Sequence, residues 1–136
     1  MSRYVIDAVT LLHLVDNGLP AGPGIQLVAP NAIRSDAMQL LLEAVRRGER
    51  TDREALRTHD RLTEVKIRLL GDRMSRATAW RIAREHEQFT LREAEYLAVT
   101  RLQADALVTV DAELAGRARA LVPVGSLTDV TGPAAT

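Results

Sequence analysis

The chain has 136 residues, of which 46% are hydrophobic, 26% charged and none cysteine. That is enough for one folded unit with a genuine core, and it excludes a disordered polymer, a disulfide scaffold, a thiolate zinc site and a cysteine nucleophile. The net charge of zero conceals an uneven spread, because residues 46–84 carry eleven arginines and Lys66 against six acids and leave the remainder acidic.

Residues 3–7, Tyr4-Val5-Ile6 running into Asp7, predict a buried strand, and 8–17 a helix bearing Val9, Leu11, Leu12, Leu14 and Val15. With a strand at the start there is no room for a signal peptide, and no apolar run approaches the ~18 residues of a membrane span, so a cytoplasmic protein is expected. "NGLPAGPG" at 17–24 reads as loop. "IQLVAP" at 25–30 predicts a second strand, and Pro30 begins or precedes a helix to about Arg47. Ala37, Leu40, Leu41, Ala44 and Val45 form its buried side and Gly48 its stop.

"TDRE" at 51–54 matches a capping box, and the stripe Ala55, Leu62, Val65, Leu69 predicts one helix from there to the break at Gly71-Asp72. Ser75 is the expected cap of a shorter helix carrying Ala79, Trp80, Ile82 and Ala83. "TLRE" at 90–93, a second capping-box match, opens a helix to about Gln103. A third strand is expected at 106–110, a helix at 112–119 and a last short strand at 121–124, on an edge because of Pro123. Residues 126–136 are expected to be a loose tail. Strands alternating with helices predict an α/β three-layer sandwich, a short parallel sheet of about four strands flanked by helices, as a single domain over 1–125.

In a parallel sheet all strand C-termini share one edge, and ligands bind in the crevice beyond it. Asp7 and Asp111 both end strands. Asp36 lies in the early turns of the helix after strand two, and Glu93 in the first turn of the helix opening at Thr90. If the strand order permits, four carboxylates from distant segments meet at that edge. Such a group repels itself unless it takes up protons or a cation, and hard oxygen ligands select magnesium or manganese. A cation so held suits hydrolysis of a phosphodiester, with the basic 46–84 segment serving the nucleic-acid backbone. The same residues have plainer uses: Asp7 and Asp111 as helix N-caps, Glu93 (with Glu95 as rival) in the capping box, Asp36 as a solvated helix acid. One residue can do both, and the two readings stay open.

Arg34, beside Asp36, is placed to hold a phosphate or to pair with one of the acids. Arg73, Arg76 and Trp80 come together after the turn at 71–72; they suit a grip on RNA with Trp80 stacking a base, although a lone tryptophan at helical spacing is more often core or dimer interface. His59-Asp60 resembles a phosphohydrolase metal pair but lacks companion histidines. A phospho-acceptor receiver domain would need a lysine at the end of a late strand, whereas Lys66, the only lysine, falls within the predicted helix 51–70.

Three blocks, "YVIDAVTLLHL", "LVAPNAIRSDAMQLL" and "TLREAEYLAVTRLQADALVTVDAEL", resemble the signature segments of the PIN domain, closest to the small VapC-like ribonuclease toxins of toxin–antitoxin pairs, over Tyr4 to about Val124. The resemblance implies a metal-dependent endoribonuclease holding Mg2+ or Mn2+ on Asp7, Asp36, Glu93 and Asp111, with Thr109 as a supporting hydroxyl. It also implies a homodimer and an antitoxin that fills the acidic groove, often with an arginine among the carboxylates. Asp36 stands where the family usually has Glu, and Glu93 where it usually has Asp. Those departures support the alternative of a catalytically silent PIN-fold module that binds RNA or protein.

Overall fold

The computed structural model describes residues 1–132. Its elements run β1 (Ser2–Ile6), α1 (Ala8–Asp16), β2 (Ile25–Pro30), α2 (Ile33–Arg46), α3 (Asp52–Glu64), β3 (Ile67–Leu70), α4 (Arg73–Glu85), α5 (Leu91–Gln103), β4 (Ala106–Val108), α6 (Ala112–Ala118) and α7 (Leu127–Thr131). The strands form one sheet in the order β3-β2-β1-β4, with every pairing parallel. From β1 the chain moves twice toward one edge, through α1 to β2 and through α2 and α3 to β3. It then crosses back through α4 and α5 to place β4 on the other side of β1. Right-handed crossovers running in opposite directions lay their helices on opposite faces. Accordingly α1, α2 and α3 pack on one another, while α5 lies against β1, β2 and β4 with α4 packed on it. The expected α/β three-layer sandwich on a four-stranded parallel sheet is the observed architecture.

Burial on both faces calls for continuous apolar strands rather than alternating ones. Val5, Ile6, Val28, Leu107 and Val108 are all fully buried. On α5 a run from Ala94 through Tyr96, Leu97, Ala98 and Val99 to Thr100 is also buried, so that helix can hardly shift without disturbing the core.

The end of α2 is set locally. Gly48 has φ +77°, Glu49 N–H donates to Ala44 C=O at 2.9 Å and Gly48 N–H to Val45 C=O at 3.0 Å, the paired bonds of a Schellman cap. A Cβ at Gly48 would touch nothing, so Gly48→Ala isolates the cost of a left-handed backbone. The expected loss is about 1 kcal/mol, read as a melting temperature lower by roughly 3 °C.

Three expectations are corrected. First, 51–70 is not one helix. α3 ends at Glu64, Val65 takes extended angles of φ −70° and ψ 127°, and residues 67–70 join the sheet as β3 beside β2. Val65 and Leu69 fit a helical stripe, but the β-branched Val65 and Ile67 are better served by an edge strand whose register pairs Leu27 with Ile67. Lys66 therefore stands at the N-terminal end of a strand, opposite to where a receiver lysine belongs. Second, 121–124 is not a full strand. Val124 makes only an isolated parallel bridge with Leu107, and Pro123 brings a carbonyl but no N–H to β4. Third, the tail is not loose from 126 onward: 127–131 form α7, with Val130 fully buried and its carbonyl accepting the Gly22 N–H at 2.8 Å. Residues 133–136 of the expected tail lie outside the described residues. At α4 the N-cap is Asp72, which accepts the Ser75 N–H at 2.8 Å; Ser75 itself sits inside the first turn.

Candidate functional site

The order β3-β2-β1-β4 reverses direction at β1, and the crevice of such a sheet opens between the C-terminal ends of the two strands on either side of that reversal. Those strands are β1 and β4. Asp7 follows the first and Thr109, Val110 and Asp111 follow the second.

Asp7 is 7% exposed and caps α1. One carboxylate oxygen accepts the Thr10 N–H at 3.1 Å and the Thr10 hydroxyl; the other accepts the Thr109 hydroxyl at 2.8 Å. The Thr109 oxygen in turn accepts the Asp111 N–H at 3.0 Å, and the Thr10 oxygen accepts the Val110 N–H at 3.0 Å. Two threonines thus stitch the strand ends across the crevice. Burial raises the proton affinity of Asp7 above the ordinary carboxylate value, and hydrogen bonds from Thr10 and Thr109 only partly offset it. Asp111 caps α6, accepting Glu113 N–H at 3.0 Å and Leu114 N–H at 3.1 Å. For both aspartates the capping role and the crevice position hold together.

Asp36 and Glu93 have different company. Asp36 pairs with the Arg92 guanidinium and accepts the Tyr96 hydroxyl at 2.8 Å. Burial first, then the Asp36 hydrogen bond and charge, then the charge of Asp7, push the Tyr96 phenol above its ordinary range. Tyr96 therefore stands between the two acids and fixes Asp36 beside the crevice. Tyr96→Phe removes a hydrogen bond to a charged group, with an expected loss of about 1.5 kcal/mol in chemical denaturation.

Glu93 closes the capping box, accepting the Thr90 N–H at 2.9 Å. Its second oxygen accepts from Arg117 at 2.9 Å, and Arg117 also donates to Gln88 C=O at 2.8 Å and lies 5.2 Å from the Phe89 ring centre. Partial burial would raise the Glu93 carboxyl, but the Arg117 and Thr90 hydrogen bonds outweigh it and hold the group below its usual value.

The sheet edge thus gathers all four candidate acids but divides them. Asp7 connects to Asp111 through Thr109 and to Asp36 through Tyr96, while Glu93 turns to Arg117. Among the described residues no three of the Asp, Glu or His side chains converge to hold a metal ion. In this arrangement the acids do not fit a divalent cation, because two arginines of the same chain already neutralise Asp36 and Glu93.

Arg34 reaches neither acid nor open crevice: its guanidinium donates to Val65 C=O at 3.2 Å and ties the end of α3. Arg76 turns back to Gly71 C=O at 2.7 Å, and Arg73 is exposed at the start of α4, beside edge strand β3 rather than the β1–β4 crevice. Trp80 is 60% exposed and so is not core. The sequence reading passed over Thr10, Arg92, Tyr96 and Arg117. Arg92 and Tyr96 are four residues apart, one helical turn, and that spacing was the available signal. A larger cavity, about 870 Å³, opens at the opposite sheet edge between Leu14, Leu19, Ile25, Val65 and Ile67, away from every candidate acid.

Three solved structures share this architecture. PAE2754 from Pyrobaculum aerophilum superposes with a TM-score of 0.66 at 20% identity, covering 90% of this chain and 83% of its own. VapBC-1 from nontypeable Haemophilus influenzae gives 0.64 at 14%, covering 93% and 98%. Mycobacterium tuberculosis VapC20, a sarcin-ricin loop cleaving toxin, gives 0.60 at 15%, covering 84% and 94%. The chain has the PIN fold. No family model and no curated protein matches the chain. At these identities the likeness concerns the PIN fold itself, and the chemistry must be argued from the residues. Among the described residues no helix is long and apolar enough to cross a membrane.

Proposed function

We propose that this PIN-fold chain is a divalent-metal-dependent endoribonuclease and the toxin of a toxin–antitoxin pair. The observation that carries the reading is Asp7, a buried acid at the strand-order reversal, joined through Thr109 to Asp111 and through Tyr96 to Asp36. A fully buried structural cap is served as well by Ser or Asn, so an ionisable group in this place has a use beyond capping. The similarity of fold to a toxin that cleaves the sarcin-ricin loop supports RNA as the substrate class. The half-exposed Arg92 adds a guanidinium suited to a phosphate. Mg2+ or Mn2+ as cofactor, an antitoxin and a homodimer follow from the resemblance; exposed Met74 and Trp80 on α4 offer a face for a second copy.

The test is incubation with a structured RNA in manganese and in chelator. Internal cuts only with manganese are expected; cuts of equal extent in chelator would overturn the metal requirement, and none in either the activity. A second reading is favoured by one observation: the pairing of Asp36 and Glu93 with Arg92 and Arg117 suits a silent module that binds RNA or protein without cutting. Retention of a labelled RNA, uncut, in manganese is its expected outcome.

A further inference from the structure

The two arginines that neutralise the acids are held very differently. Arg117 contacts both Glu93 oxygens, the Gln88 carbonyl and the Phe89 ring, and its side chain is 25% exposed. It sits in the last turn of α6, where a cation is favoured by the helix dipole. Arg92 is 54% exposed, and among the described residues Asp36 is its one polar partner. It occupies the first turn of α5, two residues after the Thr90 cap, where the dipole repels a cation. One guanidinium is fixed and the other is held against its helix by a single carboxylate.

We propose that Arg92 is an exchangeable internal counter-ion: a divalent cation displaces it from Asp36 and is taken up by Asp36 with Asp7 and Asp111, one ion per chain, while Glu93 stays bound to Arg117 and ligates nothing. This rests on the nuclease reading and accounts for the misfit between the acids and a metal ion. The longer Glu at 93 reaches both the Thr90 N–H and Arg117, so its carboxylate is spent on structure. The displaced Arg92 remains at the crevice mouth, free to meet the phosphate of an incoming strand.

Calorimetric titration with manganese of the wild type, Arg92→Gln and Glu93→Gln tests this, with circular dichroism confirming that each variant is folded. One ion per chain is expected for the wild type. Arg92→Gln should bind the same single ion roughly fivefold more tightly, the upper range that a half-exposed ion pair withholds. Arg92→Lys, still cationic, should fall between. Glu93→Gln should leave stoichiometry unchanged and affinity within about twofold. Two ions per chain, unchanged affinity in Arg92→Gln, lost binding in Glu93→Gln, or no uptake by any variant each overturns the proposal. RNA cleavage by the same samples separates the failures. A wild type that cuts RNA while Arg92→Gln binds no tighter sinks the exchange alone. Single-ion exchange without cleavage sinks the nuclease and leaves the exchange standing.

Discussion

Asp7→Asn is expected to melt at a higher temperature than the wild type at pH 7 in chelator, while losing roughly 10³-fold or more in RNA cleavage. The stability half follows from linkage. Burial gives Asp7 a higher proton affinity in the folded chain than in the unfolded one. As pH rises from the ordinary aspartate value of about 4, the unfolded chain gives up this proton first, so the folded state loses stability until its own carboxyl ionises. At neutral pH the native state therefore bears a desolvated charge, and a neutral amide of the same shape relieves it. The Thr10 N–H and hydroxyl still find an oxygen, and the new amide N–H can donate to Thr109. Below about pH 4 both chains are neutral at this position, and their melting temperatures should converge. The activity half follows from removing an acid at the crevice, a change of the order that positioned acid–base groups contribute. A cap that existed only for stability would show the opposite: Asn no better than Asp, and no loss of cleavage.

Thr109→Val has the second largest expected effect, about 3 kcal/mol of destabilisation measured by urea unfolding. Valine preserves the shape but withdraws the donor at 2.8 Å from Asp7 and the acceptor of the Asp111 N–H at 3.0 Å. It leaves a buried carboxylate short of one partner and a cap N–H without one, each loss costing about 1–3 kcal/mol. Because Thr109 acts partly through Asp7, the two changes should not add. In the double variant the cost of Thr109→Val should shrink by about 1 kcal/mol. Full additivity would mean that the bridge across the crevice carries no energy.

What could be read ahead of the structure was what neighbouring residues decide. Both capping boxes, Thr51 with Glu54 and Thr90 with Glu93, form as the spacing says, and Gly48 stops α2. β3 was hidden because Val65 and Leu69 continue the stripe of α3, and four residues are too few for a period of two to outvote it. Only pairing with β2, some forty residues earlier by sequence, turns Ile67–Leu70 into a strand. The site divides along the same line. Asp7, Asp36 and Asp111 were legible because a parallel sheet brings its strand ends to one edge. The partition of the acids was not. Arg117 reaches Glu93 from 24 residues away, and nothing in either segment announces the pairing. Arg34 likewise stood next to Asp36 in sequence yet turned to the end of α3, where a carbonyl needed a donor.

The most direct measurement is to map the ends of RNA fragments produced in manganese by wild type and by Asp7→Asn, both purified the same way and shown to be folded. The crevice between β1 and β4 as the cutting site predicts discrete internal cuts by the wild type and none by the variant. The same cuts at the same rate from both proteins would contradict it.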